Sequence, residues 1–319
     1  MKRIKYSYLR HTEHLDNINQ LAREDAAGFV ADCEAQYRET LQDIAGYLAD
    51  ELEHYQVIML SGPSASGKTT TSHILREMLE SRGAKIQIIS LDNFYLGRGM
   101  APRLPNGALD YESVYALDIE LMQKTLTQLM TTGYCDMPVF DFEQGRPSEN
   151  TVPTCLGQDG LAIVEGIHAL NPIVTDHLPQ EGLLKMYISV KQGIRDEQDN
   201  HLLCARDIRL LRRTMRDYAF RNSSVENTFT MWEQVVRGEL EYIKPFKQCA
   251  DITINSVHMY EPCLVKQKAI QLLSNMEPGS RFYSEAQRLI GALLRFADIK
   301  QEMVPQNSLL REFIGGGIY

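Results

Sequence analysis

The sequence predicts an α/β protein, a three-layer sandwich whose sheet is mainly parallel, and three observations support that class. From residue 56 onward, apolar strand-like runs alternate with helix-like segments. A glycine-rich stretch stands between the first such strand and the helix after it. At 319 residues, 44% hydrophobic and 24% charged, the chain has the length and composition of an ordinary globular protein.

The elements follow in order. Between Leu15 and Leu52, Ile18, Leu21, Phe29, Val30, Leu41, Ile44 and Leu48 recur among acidic and amide residues. That spacing predicts two amphipathic helices in an N-terminal segment, 1–54, whose expected role is packing or oligomerisation. Gln56–Ser61 reads as a buried strand, with a helix from about Gly67 to Gly83 and a second strand over Lys85–Leu91. Further strands are predicted at Gly160–Val164, Leu184–Val190 and Asp251–Asn255. Helices are predicted over Asp207–Arg221, Glu226–Ile243 and Tyr260–Leu273, completing a core over 55–277. A C-terminal extension, 278–319, holds one helix near Ser284–Ala297 and ends in Gly315-Gly-Gly317.

Several function classes are disfavoured at once. No stretch nears the roughly 18 consecutive apolar residues of a spanning helix, and Met1–Arg10 lacks the apolar centre of a secretory signal. The expected location is therefore the cytoplasm, with no membrane partner. Cys33, Cys135, Cys155, Cys204, Cys249 and Cys263 lie far apart, as suits reduced thiols rather than disulfides or a zinc site. A formal charge of -9 opposes non-specific nucleic-acid binding and leaves a small molecule as the expected partner.

Gly62-Pro-Ser64-Ala65-Ser66-Gly67-Lys68-Thr69 fits the phosphate-loop pattern and has the strand and helix flanks that give the pattern its mechanism. Chance alone supplies the string in about one chain in a hundred of this length. Backbone N–H groups of such a loop curl around a β-phosphate, Lys68 reaches the β/γ oxygens, and Thr69 offers its hydroxyl to Mg²⁺. The bland alternative is a glycine-rich turn capping a helix. Nucleotide-binding candidates are thus Gly62, Ser64–Thr69 and the adjoining Thr70. Ligands of open α/β sheets lie beyond the carboxyl ends of the strands, where Asp92 and Glu165 each follow a predicted strand. Asp92 suits activation of an acceptor hydroxyl and Glu165 a metal role; either also reads as a helix cap.

Arg209, Arg212, Arg213 and Arg216 fall at i, i+3, i+4 and i+7, gathering four guanidinium groups on one side of a helix. Beside a phosphate cradle this reads as a lid over a transferring phosphoryl group. A salt-bridged surface and an RNA-binding face are the alternatives.

Taken together, these motifs resemble the uridine kinase and phosphoribulokinase family of P-loop kinases. Ser90-Leu-Asp92-Asn-Phe-Tyr95 resembles its acceptor-side aspartate motif, Leu109-Asp110-Tyr-Glu-Ser113 with Ala116-Leu-Asp118 its sugar-binding segment, Pro138-Val-Phe-Asp141-Phe142 its P-x-Y-D-F stretch, and Ile163-Val-Glu165-Gly-Ile167 its second magnesium motif. Arg209–Asp217 resembles its lid, and the likeness covers roughly residues 56 to 256. Within the family the chain resembles bacterial uridine kinase-like enzymes that often carry TGS and threonyl-tRNA-synthetase-like domains. Glu165-Gly-Ile-His168-Ala-Leu-Asn171-Pro172, Arg216-Asp-Tyr218, Met231-Trp232 and Leu310–Gly316 carry that likeness.

The resemblance implies a P-loop NTPase sandwich with an arginine-rich helical lid and added N- and C-terminal helices, using ATP and Mg²⁺ to phosphorylate a hydroxyl of a nucleoside or related sugar-bearing molecule. It implies Asp92, Lys68, Arg213 and Arg216 as catalytic residues, Thr69, Asp92 and Glu165 at the metal, and Asp110, Tyr95, Phe140, Arg146 and Arg209 on the substrate. A homo-oligomer is also implied. Where uridine-cytidine kinases read the pyrimidine with a tyrosine, a histidine and a glutamine, this chain has Phe140, Gly145 and Met231, so uridine is not assumed. Arg146 and Arg98 read equally as contacts to an anionic acceptor, such as a sugar phosphate, or as surface charges. His168 and Trp232 read as structural. A regulatory nucleotide binder without acceptor chemistry is the rival from another class.

Overall fold

Strands that are apolar on both faces must be covered on both sides, and that requirement shapes this molecule. The structure, a computed structural model, describes residues 11–157 and 160–319. In chain order, β1 (His11–His14) leads into α1 (Leu15–Glu24) and α2 (Ala26–Asp50), the latter capped by Asp25, whose carboxylate accepts from the Gly28 N–H. The strand β2 (Val57–Ser61) is buried throughout and precedes α3 (Lys68–Glu80) and β3 (Lys85–Ser90). An Asp118 cap begins α4 (Ile119–Thr132), left-handed Gly133 ends it, and the ribbon of β4 (Tyr134–Asp141) and β5 (Arg146–Cys155) follows. Next come β6 (Gly160–Glu165), the single turn α5 (Pro172–Thr175), β7 (Leu183–Ser189), β8 (Gln192–Arg195) and β9 (His201–Leu203). Then α6 (Ala205–Phe220) and α7 (Val225–Gly238) precede β10 (Ile252–Asn255), followed by α8 (Glu261–Leu273), α9 (Tyr283–Leu294) and α10 (Arg311–Ile314).

Five strands form one parallel sheet in the spatial order β10, β7, β2, β6, β3. The chain moves from β2 to one edge at β3 and later to the other edge at β10. Its connections therefore part around β2 and leave a crevice beyond the carboxyl ends. Alternate residues of β2 enter two separate cores. Ile58 and Leu60, with Ile163, Met186 and Ile254, pack with Leu41 of α2, Leu75 of α3 and Leu272 of α8. Val57 and Met59, with Val164 and Tyr187, pack with Leu126 and Leu129 of α4. The predicted three layers are present, and the N- and C-terminal helices share the first core with the sheet. Among the described residues, no helix is long and apolar enough to cross a membrane.

The two N-terminal helices and the five sheet strands fall where the sequence pattern puts them. The helix expected over Glu226–Ile243 instead ends at Gly238, widens into a π-type turn, Glu239–Ile243, and then tightens into a 3-10 turn, Lys244–Cys249. Pro245 lies there and has no N–H to continue an α-helical ladder. Two smaller sheets were not legible: β1 beside β8 and β9, and the β4–β5 ribbon. β1, β8 and β9 are three or four residues long, β5 is largely exposed and polar, and β4 carries only a short alternation, Cys135 and Met137, interrupted by Pro138.

One buried ion pair locks α6 to this scaffold. Arg212 is 0% exposed, donating from Nε and Nη2 to the two Glu261 carboxylate oxygens at 2.6 and 2.7 Å, and again to the Ser256 carbonyl at 2.9 Å. Its guanidinium lies 5.0 Å from the Phe313 ring centre. Removing one partner strands the other charge in a dry interior. Arg212→Ala is expected to lower unfolding free energy by about 3–5 kcal/mol, measured by urea titration; a loss below about 1 kcal/mol would show that Glu261 finds other compensation.

Candidate active site

The crevice is built around a loop that only particular residues permit. A Cβ on Gly62 would lie 2.2 Å from the Ile188 carbonyl oxygen of β7, so the chain leaves β2 without a side chain there. Gly67 is left-handed (φ 87°) and caps α3, with the Leu309 side chain against its α-carbon. Lys68 opens α3, and its ammonium donates to the Gly62 carbonyl at 2.9 Å. Burial lowers the Lys68 pKa against the opposing pull of Glu165 and Asp92. Ser66 Oγ is buried without a hydrogen-bond partner.

Two carboxylates reach the same place because their strands are neighbours. Ser90 at the end of β3 pairs in register with Glu165 at the end of β6, and β6 lies directly beside β2. Asp92 sits in the 3-10 turn Leu91–Phe94 that continues β3. Gly166 lets that turn approach, since a Cβ there would meet the Leu91 side chain at 2.7 Å. Burial raises the Asp92 carboxyl, with Lys68 pulling the other way, and raises Glu165 to about 7. Ser64, Ala65, Ser66, Gly67, Lys68 and Thr69 line one cleft of about 580 Å³. Asp92, Tyr95, Glu165, Arg213 and Arg216 line it as well.

The four lid arginines divide. Arg213 Nη1 donates to Ser64 Oγ at 2.8 Å, and its Nε stands 3.1 Å from Asp217. Arg216 lies 3.2 Å from Asp217 and 3.6 Å from Glu312. These two face the cleft. Arg212 turns inward to Glu261. Arg209 does not line the cleft; it donates to the Ser64 carbonyl at 2.9 Å, pairs with Glu239 at 2.7 Å and lies 5.3 Å from the Trp232 ring centre. The helix thus braces the loop with its buried arginines and presents only part of its charge to the cleft.

The other expected substrate residues are dispersed. Asp110 is buried outside the cleft lining, with Arg237 donating to one oxygen at 2.6 Å and Tyr242 to the other at 3.0 Å. Phe140 packs edge-on between Tyr95 and Phe142 at 5.9 and 5.0 Å, and Phe142 rather than Phe140 reaches the cleft. Arg146 is exposed and bonded to Gln144 at 2.8 Å. Thr70 is buried, its hydroxyl donating to Glu312 at 2.9 Å. His168 is buried beside Tyr242, and desolvation lowers it to about 4, so it is a neutral imidazole.

Three ionisable cleft residues were given no role by the sequence reading, Glu112, Arg221 and Glu312, and Phe142, Gly166 and Ile167 line the cleft as well. Glu112 stands within the Asp110-Tyr-Glu-Ser113 segment, which was the available signal, and burial raises its carboxyl. Arg221 follows the lid helix by one residue. Glu312 belongs to the C-terminal extension, 242 residues from Thr70, which donates to it, and although it stands within the Leu310–Gly316 segment, no spacing there announces a place in the cleft.

Residues 57–261 match the model of the Phosphoribulokinase / Uridine kinase family. A uridine kinase of Limosilactobacillus reuteri is 31% identical over 202 residues, 62% of this chain and 82% of that one. Uridine-cytidine kinase B of Dictyostelium discoideum is 30% identical over 205 residues, 63% of this chain and 75% of that one. A solved structure of a possible uridine kinase from Bacillus stearothermophilus overlays at a TM-score of 0.44 and 17% identity, covering 68% of this chain and all of that one.

The raised Glu165 pKa makes a stability prediction. Its folded value, about 7, lies above its ordinary 4.5, so its contribution is complete below about pH 4.5 and lost as pH rises through 7. Ligand-free Glu165→Gln is expected to exceed the wild type in stability by roughly 3 kcal/mol at pH 8 and to converge with it toward pH 5. Parallel denaturation curves across that range would show that Glu165 is not desolvated.

Proposed function

This chain belongs to the phosphoribulokinase / uridine kinase family, and from that premise we propose that it is an ATP- and Mg²⁺-dependent kinase. The acceptor is a hydroxyl of a nucleoside or related sugar-bearing small molecule. The observation that carries the proposal is the convergence of a phosphate loop, the carboxylates of Asp92 and Glu165, and the guanidinium groups of Arg213 and Arg216 in one cleft.

The residues present fit a magnesium nucleotide. Gly62 lets the loop pass tight against β7, and Ser66 Oγ is a buried polar atom lacking a partner. Lys68 binds the β/γ oxygens, exchanging its carbonyl contacts for phosphate. Thr69, Asp92 and Glu165 would hold Mg²⁺, which when bound neutralises charge on the phosphate oxygens. Arg213 and Arg216 grip the transferring group from α6. Asp92, desolvated and raised, accepts the proton of the attacking hydroxyl, and Tyr95 and Phe142 bound the acceptor side and exclude water.

The acceptor end departs from a pyrimidine site. A Cβ on Gly145 would collide with the Arg98 side chain at 2.4 Å, so an arginine covers the place where the resemblance puts a histidine. Met231 is exposed on α7, and Phe140 offers no hydroxyl. Arg98, whose N–H donates to the Gly145 carbonyl at 2.8 Å, favours a second reading, a sugar phosphate as acceptor.

The test is an ADP-release assay with Mg-ATP against nucleosides, pentoses and sugar phosphates, using Lys68→Ala as the blank. Turnover is expected to depend on one acceptor class. With it, Asp92→Asn is expected to lose about 10²–10⁴ in kcat while still binding ATP. A fully active Asp92→Asn would remove the base role; ATP binding with no acceptor-stimulated turnover would favour a regulatory binder.

A further inference from the structure

A second cavity, about 480 Å³, lies open to solvent between the end of β7, the start of α6 and the turns that follow α7, and it shares no lining residue with the kinase cleft. Its size falls within the range of small-ligand sites. In a chain of formal charge -9, this wall carries the cationic side chains of Arg206, Arg209 and Lys244 against one carboxylate, Glu239. That carboxylate is already engaged, 2.7 Å from Arg209 and 3.7 Å from Lys244. Cys204, the N-cap of α6, and Ala205 and Arg206 of its first turn line the cavity, with the Cys204 N–H already donated to Asp207 at 2.8 Å.

Two lining side chains are buried with an unpartnered polar atom. Arg209, 4% exposed, has no hydrogen-bond partner for Nη2, and Gln192, 1% exposed, has none for Oε1. An unpaired buried donor or acceptor is costly, and a ligand that pairs it recovers that cost. One is a cationic donor and the other a neutral acceptor. A ligand satisfying both carries an anionic oxygen and a hydroxyl group.

We infer that this cavity is a second binding site, for a small phosphate monoester that also bears a hydroxyl. The phosphate takes the excess positive charge of Arg206, Arg209 and Lys244, and the hydroxyl donates to Gln192. Because the site is separate from the cleft, the inference stands whether or not the kinase reading does.

Isothermal titration of the full chain with glycerol 3-phosphate tests it, with glycerol as the control. Both Arg206 and Lys244 are exposed, so changing them leaves the cores intact. One-to-one binding is expected in the wild type, retained within about threefold by Lys68→Ala and weakened at least about tenfold by Arg206→Glu/Lys244→Glu, with higher salt weakening it further. Should the double charge reversal fail to fold, Arg206→Gln/Lys244→Gln is expected to weaken binding several-fold. No binding to the wild type, loss in Lys68→Ala with retention in the Arg206/Lys244 variant, or equal binding of glycerol would each overturn the assignment.

Discussion

The Arg212–Glu261 pair is the interaction on which the arrangement of the site depends. It joins α6 to the start of α8, and the same guanidinium meets Ser256 beyond β10 and lies against Phe313 of the C-terminal extension. A pair this buried persists only when its remaining donors are satisfied, which the Ser256 contacts accomplish. With Arg212 anchored, Arg209 is set to hold the Ser64 carbonyl and Arg213 the Ser64 hydroxyl. The lid helix is therefore a brace for the phosphate loop as much as a cover.

The cleft beneath that brace is a collection of charges in poor solvent. Asp92, Glu112 and Glu165 have raised pKa values and Lys68, Arg213 and Arg221 lowered ones, with burial the leading cause in every case. Each charged form is destabilised by desolvation and only partly compensated by its neighbours. Such a site favours a ligand that brings charge of its own, as the proposed magnesium nucleotide would.

The terminal extensions contribute to the loop from its outer side. Tyr37 of α2 shares a 2.7 Å hydrogen bond with Thr71 of α3, and Tyr319 stacks on His73 and bonds Glu77 of the same helix. Leu309 covers Gly67, and Glu312 meets Thr70 and Arg216. The helix that follows the phosphate loop is thus clamped by both ends of the chain.

Much was legible in the sequence, because the relevant signals are local. The apolar run of β2, the glycines and Lys68 of the loop, and the carboxylates at the ends of β3 and β6 each follow from spacing within a few residues. The four-arginine helix was equally plain. What each arginine does was not: Arg212 and Arg209 look like Arg213 and Arg216 on a helical wheel, yet Glu261 and Glu239, which claim them, lie 49 and 30 residues away. The same holds for Asp110, whose oxygens are claimed by Arg237 and Tyr242, and for Glu312, which enters the cleft from the far end of the chain. Periodicity assigns a residue to a face, whereas a buried charge is assigned its partner by packing between distant segments, and only the tertiary structure decides that.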